Sequence, residues 1–277
     1  LPLALPSYII AYCYTDFLEY SGYLQSLIRN IFEFSSPNEY FFPEIRSLGG
    51  AIFVISFVLY PYVYLITKVA FRSTPTSLLE LAEINGKNPL YSVALPLARP
   101  AIIAGLSLVL METISDFGTV DFFAVETITL GIFNLWLGMN NLAAASQLAL
   151  IGFTFVLVLF ALELAARNKQ RFNDTKITLY RGFNKKVSPL KNLFIFIICL
   201  LPLVIGFLIP VLILIINSIS YLDLESFNNL INLSINSFLI SIITSLVIVI
   251  LSLILVVGLK FYNFKGMNFL STVAGIG

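Results

Sequence analysis

The chain is predicted to be all-α, a polytopic bundle of transmembrane helices, and three observations carry that reading. Hydrophobic residues make up 58% of the 277, charged residues 11%, and mean hydropathy is +0.94, where a soluble domain would be about a quarter charged. Several apolar stretches exceed the roughly 20 residues that cross a bilayer as helix. Lysine and arginine gather in alternate connections between those stretches, which orients them. The same composition excludes chemistry. Net charge is only +1, and the cations are needed for topology, so no nucleic-acid partner is expected; the partner in hand is the lipid bilayer. Cys13 and Cys199 are isolated in apolar runs and there is no histidine, so neither a disulfide nor a metal site is indicated. No Gly-x4-Gly-Lys-Ser/Thr phosphate loop occurs, nor a nucleophile with a positioned base, so the chain is not expected to be an enzyme or to need a cofactor.

Segment one, about Leu1 to Tyr14, carries Pro2 and Pro6 near its start and reads as the end of a kinked helix. It lacks a charged n-region and a cleavage site, so it is not a signal peptide. The chain opens inside this apolar segment and stops about ten residues into another, and it reads as a fragment of a longer protein. Thr15 to Arg46 is a mixed, acid-rich stretch. Segment two is about Leu48 to Ala70, segment three about Leu97 to Phe117 and segment four about Leu142 to Ala165. Between three and four, Asp116 to Asn140 is amphipathic, aromatic and poor in cations. Segment five is about Leu193 to Ile216, six about Leu233 to Leu259, and seven starts near Met267.

Arg167 to Lys191 holds eight lysines and arginines against Asp174, so it is expected to be cytoplasmic. Counting back two spans makes the Ser73 to Pro100 loop cytoplasmic, flanked by Lys68, Arg72, Lys87 and Arg99. Counting forward puts Ser218 to Asn229, with Asp223 and Glu225, outside, and Lys260 and Lys265 inside. The basic stretch also separates two groups of spans, which predicts residues 1–166 as one unit, 167–191 as a linker and 192–277 as the start of a second.

The Ser73 to Pro100 loop, STPTSLLELAEINGKNPLYSVALPLARP, is the feature around which the chain is organised. Leu78 to Ile84 reads as a short helix with two carboxylates, Glu80 and Glu83. Gly86 is placed to end it, because glycine takes the left-handed conformation without a Cβ penalty, and Asn88-Pro89 reads as a turn. Two readings stand: a segment built to be held by another protein, or an ordinary solvated loop. Within the spans, Ala145, Ala149 and Gly152 of segment four and Ala101 and Gly105 of segment three form small-residue stripes of the kind that let helices approach closely. Glu112, counted from Leu97, lies well inside segment three, where a carboxylate costs about 2.5–3.5 kcal/mol. It is expected to face the protein interior or a water-filled path, with Asp116 on the same face one turn later and Gln147 as a hydrogen-bonding partner. Either a translocation path or a buried, satisfied carboxylate accounts for it.

Glu80-Leu81-Ala82, then three residues, Gly86, and Val93-Ala94-Leu95-Pro96 resemble the EAA loop of binding-protein-dependent ABC importer permeases. The runs FPEIRSLGGAIFVISFVLYPYVYL (42–65), VALPLARPAIIAGLSLVLMETISDFGTVDFF (93–123) and LGIFNLWLGMNNLAAASQLAL (130–150) are similar to the ferric-iron permeases of that group. The resemblance implies the type I importer (MetI-like) permease fold in a bacterial cytoplasmic (inner) membrane, two fused halves in the full protein, and only the first EAA loop visible here. It implies two kinds of partner, cytoplasmic ABC ATPase subunits and a periplasmic substrate-binding protein. Glu80 would meet basic residues of the ATPase, Ala82 would allow close approach, Gly86 would make the turn, and Leu95 and Pro96 would belong to the same ATPase-coupling loop. Substrate would arrive at the outer face, where Asp116 and Asp121 lie. Two departures stand out: Leu81 replaces an alanine, and six residues separate Gly86 from Val93, about three fewer than the family's spacing and nearly one helical turn.

The resulting expectation is the transmembrane subunit of an ABC importer, with ferric iron as the substrate; related permeases carry thiamine, polyamines, sulfate or phosphonates. The alternative is a secondary transporter driven by an ion gradient, with Glu112 and Asp116 as its coupling carboxylates. A membrane scaffold without transport is a third.

Overall fold

The computed structural model describes residues 2–168, 188–220 and 224–261. Among these residues all regular structure is helical. Five stretches are long and apolar enough to cross a membrane: Leu48–Arg72, Leu90–Ser115, Leu142–Ala161, Pro189–Ile219 and Leu230–Gly258. By contact the chain divides into two compact units, Leu1–Leu214 and Ile215–Gly277. The middle of the basic 167–191 stretch and the start of segment seven lie outside the described residues.

In the first unit a single 3-10 turn leads into α1 (Ser7–Leu18), and α2 (Tyr23–Phe32) follows after Gly22. Ser47 caps the long α3 (Leu48–Arg72), its hydroxyl accepting the Gly50 N–H. The core is built where α1 crosses α3: Ile10, Ala11 and Tyr14 pack on Ala51, Val54, Val58 and Leu59, with Phe123 closing the cluster. This is the apolar-on-apolar packing that hydropathy alone cannot specify, because in a bilayer every face of a span is apolar.

After the short α4 (Thr76–Ile84), a π turn over Leu90–Ala94 runs directly into α5 (Leu95–Ser115). Segment three therefore begins at Leu90, earlier than predicted at Leu97. Prolines at 96 and 100 do not break the helix, because the π turn absorbs the first of them: Leu95 N–H reaches back five residues to Leu90. Helix α5 packs antiparallel on α3, and Gly105 makes the approach possible. A Cβ there would stand 2.7 Å from Val63 Cα.

Two small helices, α6 (Gly118–Phe122) and α7 (Ile128–Phe133), with a second π turn over Asn134–Gly138, make the amphipathic connection before α8 (Leu142–Asn168). Ala145 and Gly152 of the predicted stripe are buried, and Gly152 lies against Ile128, so that stripe seats α7 on α8. Thr129 Oγ1 donates to the Ile114 carbonyl, tying α7 to α5.

Helix α9 (Pro189–Leu203) passes through a third π turn, Val204–Leu208, into α10 (Ile209–Ser220). The same logic applies as at Pro96. Ile209 N–H bonds the Val204 carbonyl five residues back, and the next residue, Pro210, has no N–H to offer Ile205. Tyr14 Oη donates to that Ile205 carbonyl at 2.6 Å. Gly206 packs against the Phe57 carbonyl of α3, the group that Pro61 four residues later leaves without its helical donor.

In the second unit α11 (Leu224–Phe261) is one unbroken helix. It starts earlier than the predicted segment six, so Glu225 to Asn229 are helical and not loop. The stretch from Leu224 to Val257 contains neither proline nor glycine, and nothing local stops the helix from extending.

Candidate functional site

The loop between α3 and α5 is the first candidate. Arg72 ends α3, and Thr74, buried, turns its hydroxyl back to the Ala70 carbonyl at 3.1 Å. Pro75 then stands before α4 with φ −61° and ψ 129°, a fixed entry that suits the position. Leu79 and Ala82, three residues apart, are the buried face of α4. Glu80, Leu81, Glu83 and Ile84 are exposed, Ile84 at 84%. An apolar residue this exposed beside carboxylates is a surface with no partner inside the unit.

The helix ends as the glycine required. Gly86 has φ +66°, its N–H donates to the Glu83 carbonyl and the Lys87 N–H donates to Ala82, both at 2.9 Å. These two bonds are the paired closure of a Schellman motif, which satisfies carbonyls that the helix end would otherwise strand. Asn88 then caps the next helix, accepting the Leu90 N–H on Oδ1 at 3.0 Å, with Pro89 in the first position. The short spacing from Gly86 to Val93 is realised in this way: Val93 to Pro96 belong to the first turns of the α5 span, with Leu95 exposed and Pro96 partly so. Ala82 is 7% exposed. Its small side chain serves the seating of α4 on its own chain, and the close approach to a partner that the resemblance attaches to it is not on the exposed face.

The second candidate is the carboxylate group at the far end of α5. Asp116 is not on the α5 face one turn beyond Glu112, as the sequence suggested. Helix α5 stops at Ser115, and Asp116 has ψ 110°. Its carboxylate is used in two ways: Oδ2 accepts from Ser7 Oγ at 2.8 Å, and Oδ1 accepts from the Thr119 N–H at 3.0 Å. It thereby pins the first residue of α1 to the first turn of α6. A chain cannot continue helically where its carboxylate caps the following turn, and that is why the predicted face ends early.

Glu112 is exposed and lies in the last turn of α5, because the span is Leu90–Ser115 and not one centred on it. It lines a small cavity of about 330 Å³ with Ser115, Asp116, Tyr8 and Tyr62. Gln147 is exposed on α8 and no hydrogen bond joins it to Glu112, so the expected pairing is absent among the described residues. Asp121 is exposed on α6. The structure thus brings Glu112 and Asp116 to one cavity and leaves Asp121 and Gln147 outside it. Sequence reasoning missed Ser7, whose hydroxyl is the long-range partner of Asp116. Its only local signal was a serine opening a helix after Pro6. Among the described residues no cluster of Asp, Glu, Cys or His is arranged to hold a metal ion.

Comparison with known proteins agrees with the membrane spans. The chain is 31% identical over 173 residues to the 2-aminoethylphosphonate transport system permease proteins named PhnU of Salmonella typhimurium and Salmonella choleraesuis, and 30% identical to that of Salmonella typhi. In each case the match covers 60% of this chain and 59% of the relative. The chain therefore spans well under two thirds of the length of those relatives. No solved structure matches it. A family profile, the binding-protein-dependent transport system inner membrane component, covers residues 1–173, and this membrane-spanning chain belongs to that family.

Proposed function

We propose that the protein is the transmembrane permease subunit of an ABC importer, moved by a separate ATPase rather than by hydrolysis of its own. The observation that carries the reading is the α4 loop: a helix rigidly closed by Gly86, presenting Glu80, Leu81 and Ile84 outward at the end of α3 and α5 that the lysine and arginine pattern makes cytoplasmic. A docking face needs an apolar anchor, a charge to set register and a rigid base, and this loop offers all three. ATP-driven closure of the paired ATPase would displace α4, and the antiparallel α3 and α5, packed through Gly105, would carry the displacement to the outer carboxylates. A substrate-binding protein would deliver solute to that outer face, with Glu112, Asp116, Asp121 and Gln147 as the candidate path.

Two substrates are open to test. The resemblance to ferric-iron permeases favours ferric iron, and the acidic outer face suits a cation. The names of the relatives favour 2-aminoethylphosphonate, whose ammonium group would meet the same carboxylates. The deciding experiment purifies the full-length protein from its own membranes in mild detergent and identifies what stays bound. Co-purification of an ATPase, lost on joint substitution of Glu80 and Gly86, is expected; ATP-dependent uptake of radiolabelled ferric iron and of 2-aminoethylphosphonate then separates the substrates. Uptake that collapses with an uncoupler and tolerates both substitutions would replace this reading with the gradient-driven transporter.

A further inference from the structure

Helix α2 presents its apolar face outward and closes its polar face inward. Tyr23, Leu27 and Ile31 follow one another at i, i+4 and i+8 and form one stripe. Tyr23 and Ile31 are 71% and 64% exposed, and Leu27 is exposed with them. The other face carries Gln25, which is buried, and Arg29, which is half-buried. Gln25 Nε2 donates to the Leu18 carbonyl at 2.7 Å, and its Oε1 accepts from Tyr40 Oη at 2.6 Å. Arg29 donates to the Tyr20 carbonyl at 2.8 Å, to Tyr40 Oη at 3.2 Å and to Ser26 Oγ at 3.1 Å, with its guanidinium 4.1 Å from the centre of the Tyr20 ring. A surface helix in water does the reverse, burying its apolar stripe and wetting its polar face. Polar groups closed on one another behind an outward apolar stripe are what a hydrocarbon neighbour requires.

The fold sets the level at which α2 lies. Tyr14 of α1 meets Phe53 of α3 edge-on, with ring centres 5.7 Å apart. Glu19, just beyond α1, pairs with Arg46, two residues before α3. The end of α1 and the start of α3 therefore share one level, the end of the membrane-crossing stretch that begins at Leu48, opposite the cytoplasmic end at Arg72. Helix α2 starts four residues after Glu19, turned back at Gly22, where an added Cβ would stand 2.6 Å from the Asp16 and Phe17 carbonyl oxygens. The bonds from Gln25 to Leu18 and from Arg29 to Tyr20 keep two turns of α2 against that level.

We propose that α2 is an interfacial helix, lying in the outer leaflet where head groups meet acyl chains, with Tyr23, Leu27 and Ile31 on the acyl side. The lipid that it contacts is continuous with the bilayer that α3 crosses, whose first turns expose Leu48 and Ile52. Tyrosine favours this level, and Tyr20 and Tyr23 stand there. Residues 15–46 contain no lysine, and both arginines are engaged, Arg29 within α2 and its neighbours and Arg46 with Glu19. Contact thus rests on apolar area and not on anionic head groups. A soluble protein that docks and departs would leave the stripe in water at each departure, whereas the bilayer is always present. The placement needs the membrane topology alone, neither an ATPase nor a substrate.

The test uses the full-length protein reconstituted in phosphatidylcholine vesicles, with a dansyl-bearing amino acid incorporated at Leu27 or at Ile31. The aqueous reference carries it at Asn38, an exposed residue of the same connection. Lipid brominated on its acyl chains should roughly halve the emission at Leu27 and Ile31 and leave that at Asn38 unchanged. The same quenching is expected when half of the lipid is phosphatidylglycerol. Emission at Leu27 and Ile31 no more quenched than at Asn38 overturns the proposal. So does quenching that appears only with phosphatidylglycerol, which would assign the contact to charge. A photoreactive amino acid at Tyr23 should label acyl chains; labelling of a polypeptide instead would make the stripe a protein-docking face and overturn the proposal equally. Should a fluorophore at Leu27 or Ile31 prevent assembly, the label at Tyr23 decides alone.

Discussion

The Lys87 N–H donates to the Ala82 carbonyl at 2.9 Å, and that one bond fixes the direction in which the chain leaves α4. It forms because Gly86, between them, sits at φ +66°. Since a Cβ at Gly86 would meet nothing within 4 Å, any penalty for substitution there is conformational and not steric crowding by neighbours. Gly86→Val should cost about 1–2 kcal/mol locally and impair ATPase co-purification and ATP-driven uptake, with little change in the melting temperature of the detergent-solubilised protein. Gly86→Asn, which tolerates the left-handed region, should retain most of both. Equal loss in the two variants would place the requirement in something other than backbone conformation.

Gly105 and Val63 set the distance between α3 and α5. Gly105→Leu should lower stability by at least about 1–3 kcal/mol through overpacking, read as a drop in melting temperature. Gly138, where an added Cβ meets nothing within 4 Å, is the control: Gly138→Ala should leave the melting temperature within a degree or two, on the scale of about 0.5 kcal/mol for unconstrained sites.

The Tyr14 hydroxyl is the donor that Pro210 cannot provide to Ile205. Tyr14 is 5% exposed, so Tyr14→Phe strands a carbonyl where no water replaces the bond, at a cost of about 1–3 kcal/mol. The measurement is the same melt. The informative companion is Tyr14→Phe combined with Pro210→Ala, in which the restored N–H should recover part of the loss.

In the connection between α2 and α3, Glu39 accepts from Ser35 twice, Oε2 from the backbone N–H at 2.9 Å and Oε1 from Oγ at 2.8 Å. The Ser35 hydroxyl, foremost, and the backbone donors hold its carboxyl below the usual carboxylate range. A lowered folded value means that the loop's stabilisation is complete above the ordinary carboxylate pKa and is lost as pH falls through the depressed one. Ser35→Ala should move the Glu39 midpoint back up, followed by a carbon-detected titration of labelled glutamate with Glu39→Gln as the assignment control. An unmoved midpoint would assign the shift to the backbone alone.

Glu112 lines its cavity from the last turn of α5, where water reaches. Glu112→Gln should therefore leave assembly and expression near parental levels while changing uptake several-fold, the scale of one lost charge interaction of about 1 kcal/mol. A change in expression with uptake per molecule intact would make Glu112 a structural residue.

How much of this was legible beforehand follows from what each residue needs. Gly86 was readable because a positive φ after a short amphipathic run has a single common solution. The spans were readable because hydrocarbon imposes length and polarity on them, and α3 and α8 start where they were expected. The start of the third span, at Leu90, was missed by seven residues, because Pro89, Pro96 and Pro100 signal interruption locally, and the π turn at Leu90–Ala94 that reconciles them has no local signature. Asp116 was misplaced because its partners, Ser7 and Thr119, lie one near and one over a hundred positions away.

By itself the sequence determined that the chain is helical, that it lives in a membrane, which ends of the spans bear the cations, and that a glycine-closed loop joins two of them. All of these are local or compositional: they depend on the free energy of single residues and short windows in water or hydrocarbon. Only the tertiary structure decided which face of each span meets which neighbour, that Ala82 turns inward while Ile84 turns out, and that Tyr14 supplies what Pro210 lacks. In a bilayer all faces of a helix are apolar, so partner choice rests on shape and on a few stranded polar groups, and those are matched only when distant segments come together.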